Sequence, residues 1–199
     1  MLVYSMGVSA DGFIADEQGG FDFTAPGDEQ FRFQVAQIGR LGGYLMGRKL
    51  YQTMRVWETD GSLRTPGVAT VFADTWAALP KVVFSRTLAS VDGNARLATG
   101  PVQDEIAAAL ASTRGDVSIG GADLAAEAIH LDLIDEYRLF RYPVVIGNGT
   151  RYWPPLEHRM PLTLVGTRTF GGRVVYEEYR RLRYGVTPDS AAGPAQASR

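Results

Sequence analysis

The sequence predicts an α/β fold: one domain of three layers, with a mostly parallel sheet between helices and an antiparallel hairpin at its C-terminal end. Three observations carry this. Tyr44-Leu45-Met46 breaks at Gly47 and continues at once into the helix formers of residues 48–54. Val117-Ser118-Ile119 breaks at Gly120-Gly121 and enters a helical stretch over 122–129, so strand, turn and helix recur as βαβ units require. Two late strand-like runs, 162–168 and 174–182, are joined by Gly171-Gly172, a hairpin signal.

The remaining elements follow in order. Residues 3–8 form a short apolar run that stops at Ser9-Ala10-Asp11-Gly12 and reads as a buried strand, followed by a polar, glycine-rich loop. Phe31, Val35 and Ile38 recur at helical spacing over 28–38, with Asp28 as N-cap and Gly39 just past the end. Residues 65–79 are partly helical, and Pro80 introduces a strand at Lys81-Val82-Val83-Phe84 that ends at Ser85-Arg86-Thr87. A short strand over 95–98 precedes an alanine-rich helix over 102–111 that opens beside Pro101. Residues 136–146 read as a further strand. The domain is expected to span 1–184, and the Pro/Ala/Ser/Gly-rich tail from Gly185 to be disordered.

Composition narrows the function classes. A chain of 199 residues, 45% hydrophobic, buries roughly 70% of its unfolded surface without a disulfide or metal staple. The absence of Cys excludes thiolate zinc sites, iron–sulfur clusters and cysteine nucleophiles, and suits a reducing compartment, so the cytoplasm is expected. Twenty Lys+Arg against 22 Asp+Glu leave no basic excess for a nucleic-acid backbone. No run approaches the roughly 18 apolar residues of a membrane span, and the N-terminus lacks a signal peptide's basic start.

In parallel sheets ligands sit beyond the carboxyl ends of the strands, so the three breaks merit a chemical reading. At Gly47-Arg48-Lys49, a glycine turn, a helix start and two cations favour an anion, most simply a phosphate; a glycine turn with two solvated basic side chains has the same sequence. Ser85-Arg86-Thr87 offers two hydroxyls and a guanidinium with no acid to hold a ribose diol, which suits a 2′-phosphate and hence NADP over NAD; it also suits a plain turn. Ile119-Gly120-Gly121-Ala122-Asp123 allows close passage of a pyrophosphate, although it is not a GxGxxG. Gly147-Asn148-Gly149 runs into Trp153-Pro154-Pro155 and reads as a loop.

Asp11 closes the first strand, where it could orient a substrate or relay a proton, or simply make the turn with Gly12. His130 and His158 lack HExxH spacing and read as helix-end and surface residues, no serine lies in GxSxG, and Asp135-Glu136 and Glu177-Glu178 read as solvated pairs. No metal site is expected.

Taken in order, Val8-Ser9-Ala10-Asp11-Gly12-Phe13-Ile14-Ala15, Leu45-Met46-Gly47-Arg48-Lys49, Val83-Phe84-Ser85-Arg86-Thr87, Ile119-Gly120-Gly121 and Tyr142-Pro143-Val144-Val145-Ile146-Gly147-Asn148-Gly149 resemble the dihydrofolate reductase-like superfamily. Within it, the chain is most similar to the reductase domain of the bacterial riboflavin-biosynthesis deaminase-reductase and its stand-alone relatives. The resemblance spans 3–182 and implies NADPH-dependent reduction of a small heterocyclic or carbonyl-containing molecule. It places Gly47, Arg48 and Lys49 at the phosphates, and Ser85, Arg86 and Thr87 at the 2′-phosphate. It also places Gly120 and Gly121 at the pyrophosphate, Ala122, Asp123 and Leu124 among the cofactor-binding residues, Ile14 beside the nicotinamide, and Phe31, Met54 and Trp57 around the substrate. Together with the apolar hairpin edge it implies a homodimer. Leu50 stands where the family usually has Thr, Phe31 aligns with the pterin-gripping carboxylate of true dihydrofolate reductases, and a chain without cysteine cannot carry the deaminase's P-C-x-x-C. The alternative expectation is a dinucleotide-binding module without turnover.

Overall fold

The computed structural model describes residues 1–183; the tail from Gly185 and the domain boundary at 184 lie outside them. The strands are β1 (Leu2–Ser9), β2 (Phe13–Ala15), β3 (Leu41–Gly47), β4 (Lys81–Phe84), β5 (Ala95–Leu97), β6 (Asp116–Gly120), β7 (Glu136–Tyr142), β8 (Thr150–Arg151), β9 (Leu162–Phe170) and β10 (Val174–Arg181). The helices are α1 (Asp28–Ile38), α2 (Arg48–Met54), α3 (Val56–Thr59), α4 (Val68–Ala78), α5 (Val102–Ala111) and α6 (Ala122–His130).

Eight strands form one sheet in the order β5-β4-β3-β6-β1-β7-β10-β9. The first six are parallel, and β10 runs antiparallel to both β7 and β9, as the hairpin signal implied. Gly171 and Gly172 both have positive φ, 55° and 66°, and the Arg173 N–H donates to the Phe170 carbonyl at 3.0 Å. That left-handed pair matches the twist of a tight hairpin.

Because successive strand residues point to opposite faces, each apolar run fills two cores. Tyr4, Leu45, Val82 and Ile119 face α5 and α6, where they meet Ile106, Leu124 and Ala128. Met46 and Val83 face α1, α2 and α4, where they meet Val35, Tyr51, Phe72 and Trp76. A third group, with Phe140, Phe170 and Tyr176, lies under the other flank of α1 around Phe33.

Several elements differ from expectation, each for a local reason. Helix α1 is capped by Gly27, and Asp28 is its first residue, where a carboxylate suits the helix's positive end. Strand β7 stops at Tyr142 because Pro143 has no N–H for the ladder and Val144 folds back to donate to the Tyr142 carbonyl at 2.8 Å. The loop after β1 contains β2, which pairs antiparallel with β8 through short segments that carry too few residues for a periodic signal. Asp135 and Glu136 are not a solvated pair. Glu136 is 1% exposed and ion-paired with Arg138 at 2.6 Å and Arg180 at 3.4 Å, and Asp135 accepts the Leu2 N–H at 2.8 Å.

Glu105 closes the turn before α5. Its carboxylate meets Arg96 at 2.5 Å and accepts the N–H groups of Thr99 and Gly100 at 2.7 and 3.1 Å. The Arg96 guanidinium, then these amides, hold its pKa down at about 2 against the opposing effect of burial. A depressed carboxylate contributes stability above its unfolded pKa of about 4.3, and that contribution is lost as pH falls through the folded value. Glu105→Gln is therefore expected to lower the unfolding midpoint at pH 7 and to flatten the acid-side decline between about pH 4.3 and pH 2, read by thermal melts across pH. Parallel pH profiles for the two proteins would refute the assignment.

Candidate functional site

Strands β4, β3 and β6 are neighbours, and their carboxyl ends are in step: Gly47 is in register with Phe84, and Met46 with Gly120. The three breaks singled out in the sequence therefore stand side by side along one edge of the sheet. Helices α2 and α6 begin there with glycine caps, Gly47 and Gly121, and neither helix has a side-chain cap. Their first N–H groups are thus left for an outside acceptor.

The two glycines lie close together. Gly121 has φ +92°, which only glycine adopts without strain, and a Cβ there would lie 3.8 Å from the Gly47 nitrogen, whereas a Cβ on Gly47 would meet nothing. Gly120 is a glycine for a different reason: a side chain would run into Leu50 and the Tyr44 hydroxyl, which fill its place under the turn. Leu50 thus packs beneath Gly120 instead of offering a hydroxyl.

Arg48, Lys49, Arg86 and Thr87 are exposed at this edge. Arg48 reaches Gln52 at 3.2 Å, while Lys49 and Arg86 have no ion-pair partner among the described residues. The Ser85 hydroxyl is occupied in shaping its turn, accepting the Thr87 and Leu88 N–H groups at 3.1 and 3.0 Å. Asp123, exposed in the first turn of α6, complements the helix dipole and can accept from a sugar hydroxyl, but would repel a phosphate. Ala122 is half-buried and Leu124 is packed into the α5/α6 core, so the latter offers the edge its backbone alone. Ile14 is buried in the same core.

Asp11 is committed elsewhere. Its carboxylate accepts from the Ser9 hydroxyl at 2.6 Å, the Ile146 N–H at 3.2 Å and the Gly147 N–H at 2.7 Å. The Ser9 hydrogen bond, with the two amides, lowers its pKa to about 2 despite desolvation. A group so firmly ionised is a poor proton relay near neutrality. Its observed work is to clamp residues 143–149 onto the end of β1, aided by the Ala10 N–H to Val144 carbonyl bond at 2.7 Å.

On the α1/α2/α4 face, Phe31, Met54 and Trp57 do come together. The Phe31 and Trp57 ring centroids are 6.0 Å apart, and Phe72 from α4 backs both, at 5.5 and 4.6 Å. Phe31, Met54 and Trp57 are half-buried, so this wall keeps an open side. Helix α2 joins the two halves of the site, with Arg48 and Lys49 at its start and Met54 at its end, about 10 Å along the axis.

The RibD C-terminal domain model matches residues 1–176. The chain belongs to that family. Among its relatives, YyaP of Bacillus subtilis (strain 168) is 29% identical over 180 residues, covering 89% of this chain and 93% of YyaP. The crystal structure of a protein of Shewanella sp. PV-4, described as a "putative riboflavin biosynthesis protein", superposes with a TM-score of 0.73 at 24% identity, over 92% of this chain and 99% of that one. Dihydrofolate reductase from Enterococcus faecalis, solved with NADP(H), superposes with a TM-score of 0.60 at 18% identity, over 91% and 96%. The fold of this RibD C-terminal domain is therefore that of the dihydrofolate reductase-like proteins, as the sequence motifs implied.

Sequence reasoning did not identify Phe72 or Tyr44 as site residues. Phe72 and Trp76, four apart on α4, carry a visible helical pattern, but their partners come from α1 and α3 and have no local trace. The clamp of Asp11 onto Ile146 and Gly147 spans 135 residues and is equally silent in the sequence. Asp11→Ala is expected to raise the amide exchange rates of Ile146 and Gly147 about 10-fold or more, with exchange in β3 and β6 unchanged. Unaltered exchange at those two amides would show that Asp11 does not hold the loop.

Proposed function

We propose that this RibD C-terminal domain protein is an NADPH-dependent reductase that transfers a hydride to a small heterocyclic or carbonyl-containing molecule. The observation that carries the reading is the alignment of the β4, β3 and β6 breaks on one sheet edge, with Lys49 and Arg86 unpaired among the described residues beside two uncapped helix starts. These residues fit a dinucleotide. The Gly47–Gly121 corner gives room for a pyrophosphate, and Arg86, one strand away, suits a 2′-phosphate through its forked donors. When bound, the nicotinamide supplies the hydride. The chain's share is to anchor the phosphates at Arg48, Lys49 and Arg86, to hold the substrate against Phe31, Met54 and Trp57, and to exclude water between them.

Membership of a reductase-domain family and the NADP(H)-bound dihydrofolate reductase of similar fold support this reading. A silent dinucleotide-binding module is the second reading, favoured by one observation: the acid at the end of β1, Asp11, is tied to the 143–149 loop and is not free for proton work. We further propose a homodimer. Strand β9 is the sheet's edge, and Leu164 and Val165 are 53% and 42% exposed on it, a combination that invites pairing with a second copy.

NADPH at 100 times its dissociation constant is expected to stabilise the protein by about 2.7 kcal/mol in a thermal-shift assay, with NADH at the same concentration giving a smaller shift. Arg86→Ala should abolish the difference between the two coenzymes. Equal shifts in the wild type would remove the 2′-phosphate assignment, and no shift with either would remove the cofactor. NADPH oxidation followed at 340 nm against quinones, small carbonyls, dihydrofolate and an aminopyrimidinone then separates enzyme from module. Light scattering over a range of concentrations is expected to give the mass of two chains, and monomer mass throughout would refute the dimer.

A further inference from the structure

At the amino-terminal ends of β3, β4 and β5 the chain leaves a hollow of about 310 Å³ between the sheet and the end of α5. Gly42, Gly43, Val82 and Arg96 border it on the strands, and Ala109 and Ser112 on the helix. Four residues of β3, about 13 Å, separate Gly43 from Gly47, so the hollow lies at the opposite end of the sheet from the three breaks.

Protein interiors are packed almost as densely as organic crystals, and Gly43 is the residue that keeps this space unfilled. Gly42 is a glycine of necessity, because a Cβ would run into Thr113. Gly43 is not. It has no positive φ, and a Cβ there would come no nearer than 3.8 Å to the Pro80 carbonyl and 3.9 Å to Val117. It shares the α5 face of the sheet with Leu45, Val82 and Val117, so a side chain at this position would enter the hollow. Glycine weakens a strand, and neither backbone nor packing calls for it here; close approach of a ligand does.

The charged residues around the hollow are of one sign. Among the described residues that line it are Lys81 and Arg96, and no Asp or Glu. The Lys81 amine is spent on Glu58 at 3.1 Å and the Leu79 carbonyl at 3.0 Å. Arg96 keeps capacity: its bonds to Glu105 at 2.5 Å and to the Leu97 carbonyl at 3.3 Å use two of the five N–H groups of a guanidinium. The carbonyl end of α5 opposes an anion, but Ser112 caps it, its N–H and hydroxyl donating to the Ala108 and Ala109 carbonyls at 3.1 and 2.7 Å. The volume stands at the lower limit of small-molecule pockets. We infer that this hollow is a second binding site, for a small aromatic acid of one or two rings, with the ring against Gly43, Val82 and Ala109 and the carboxylate on Arg96. Nothing in this inference rests on the reductase reading.

The test is amide NMR and calorimetric titration of the full chain, without coenzyme, using indole-3-acetate, tryptophol and tryptamine, one ring system with charges of minus one, zero and plus one. The acid is expected to bind at least about 10-fold more tightly than the amine, with the alcohol between them. It should move the amides of Gly43, Ala109 and Ser112 and leave those of Gly47 and Gly121 in place. Gly43→Val, which fills the space, should weaken the acid at least about 10-fold in a protein whose amide spectrum is otherwise kept, and Arg96→Gln should bring the acid down to the alcohol. Where the strand variant does not fold, Ala109→Leu closes the hollow from the helix side with the same expected loss. An amine that binds as tightly as the acid, shifts confined to Gly47 and Gly121, or no binding of the acid overturns the inference, and each is read on the wild-type protein. Undiminished acid binding by a folded Gly43→Val protein overturns it as well.

Discussion

The strand register of β3 is the constraint on which the rest depends. Leu45 and Met46 point into different cores, as do Val82 and Val83 on the neighbouring strand, so a slip of one residue would turn each apolar side chain toward the wrong face. With both faces buried, no alternative pairing is tolerable, and the carboxyl ends of β4, β3 and β6 are fixed in step. The convergence of three turns distant in the chain is thus a by-product of packing. Any group those turns hold is positioned by the hydrophobic core beneath them.

The molecule treats its charges in two contrasting ways. Buried or clamping groups are saturated: Glu136 has two arginines, Lys81 has Glu58 and the Leu79 carbonyl, and Glu105 has a guanidinium and two amides. Leaving any of these unpaired would cost several kcal/mol. At the carboxyl edge the pattern reverses, and Lys49 and Arg86 stand without ion partners among the described residues, beside helix ends whose N–H groups are also unspent. Exposed cations are individually unremarkable. Here they stand beside the glycine-capped starts of α2 and α6, at strand ends that are in step, and it is that combination which sets this edge apart from a merely solvated surface.

How much of this was legible in the sequence depends on the range of the interaction. The parallel strands, the helix from Asp28 to Ile38 and the Gly171-Gly172 hairpin are local patterns of burial period and backbone conformation, and they read directly. The three corners were equally visible, because a strand that ends in glycine beside a basic or hydroxyl residue is a local signature. The reason for Gly120 was not, since the groups that exclude a side chain there come from Tyr44 and Leu50 on another strand–helix unit. Glu136 misled in part for the same cause: Arg138 stands two residues along the same strand face, but Arg180, on β10, leaves no local trace beside the acidic pair. The strand expected over 136–146 overran β7 because Pro143 falls inside it, and its missing N–H ends the ladder at Tyr142.

Helix α2 gives the site its mechanical unity. Only 7 residues long, it begins at the cationic corner and ends at Met54, and α3 follows almost at once with Trp57. A helix that short has little stability of its own. It is held from below through the 91–94 loop, where the Tyr51 hydroxyl accepts the Asp92 N–H at 2.8 Å, Arg55 meets the Asp92 carboxylate at 2.5 Å, and Glu58 on α3 reaches Lys81 while packing over Gly93. Gly93, at φ +65°, has no side chain to block that carboxylate. A loop on the far side of the helix therefore sets, through one rigid turn, both where Arg48 and Lys49 stand and where the aromatic wall begins. The spacing between the cationic corner and the aromatic wall is consequently a property of the scaffold.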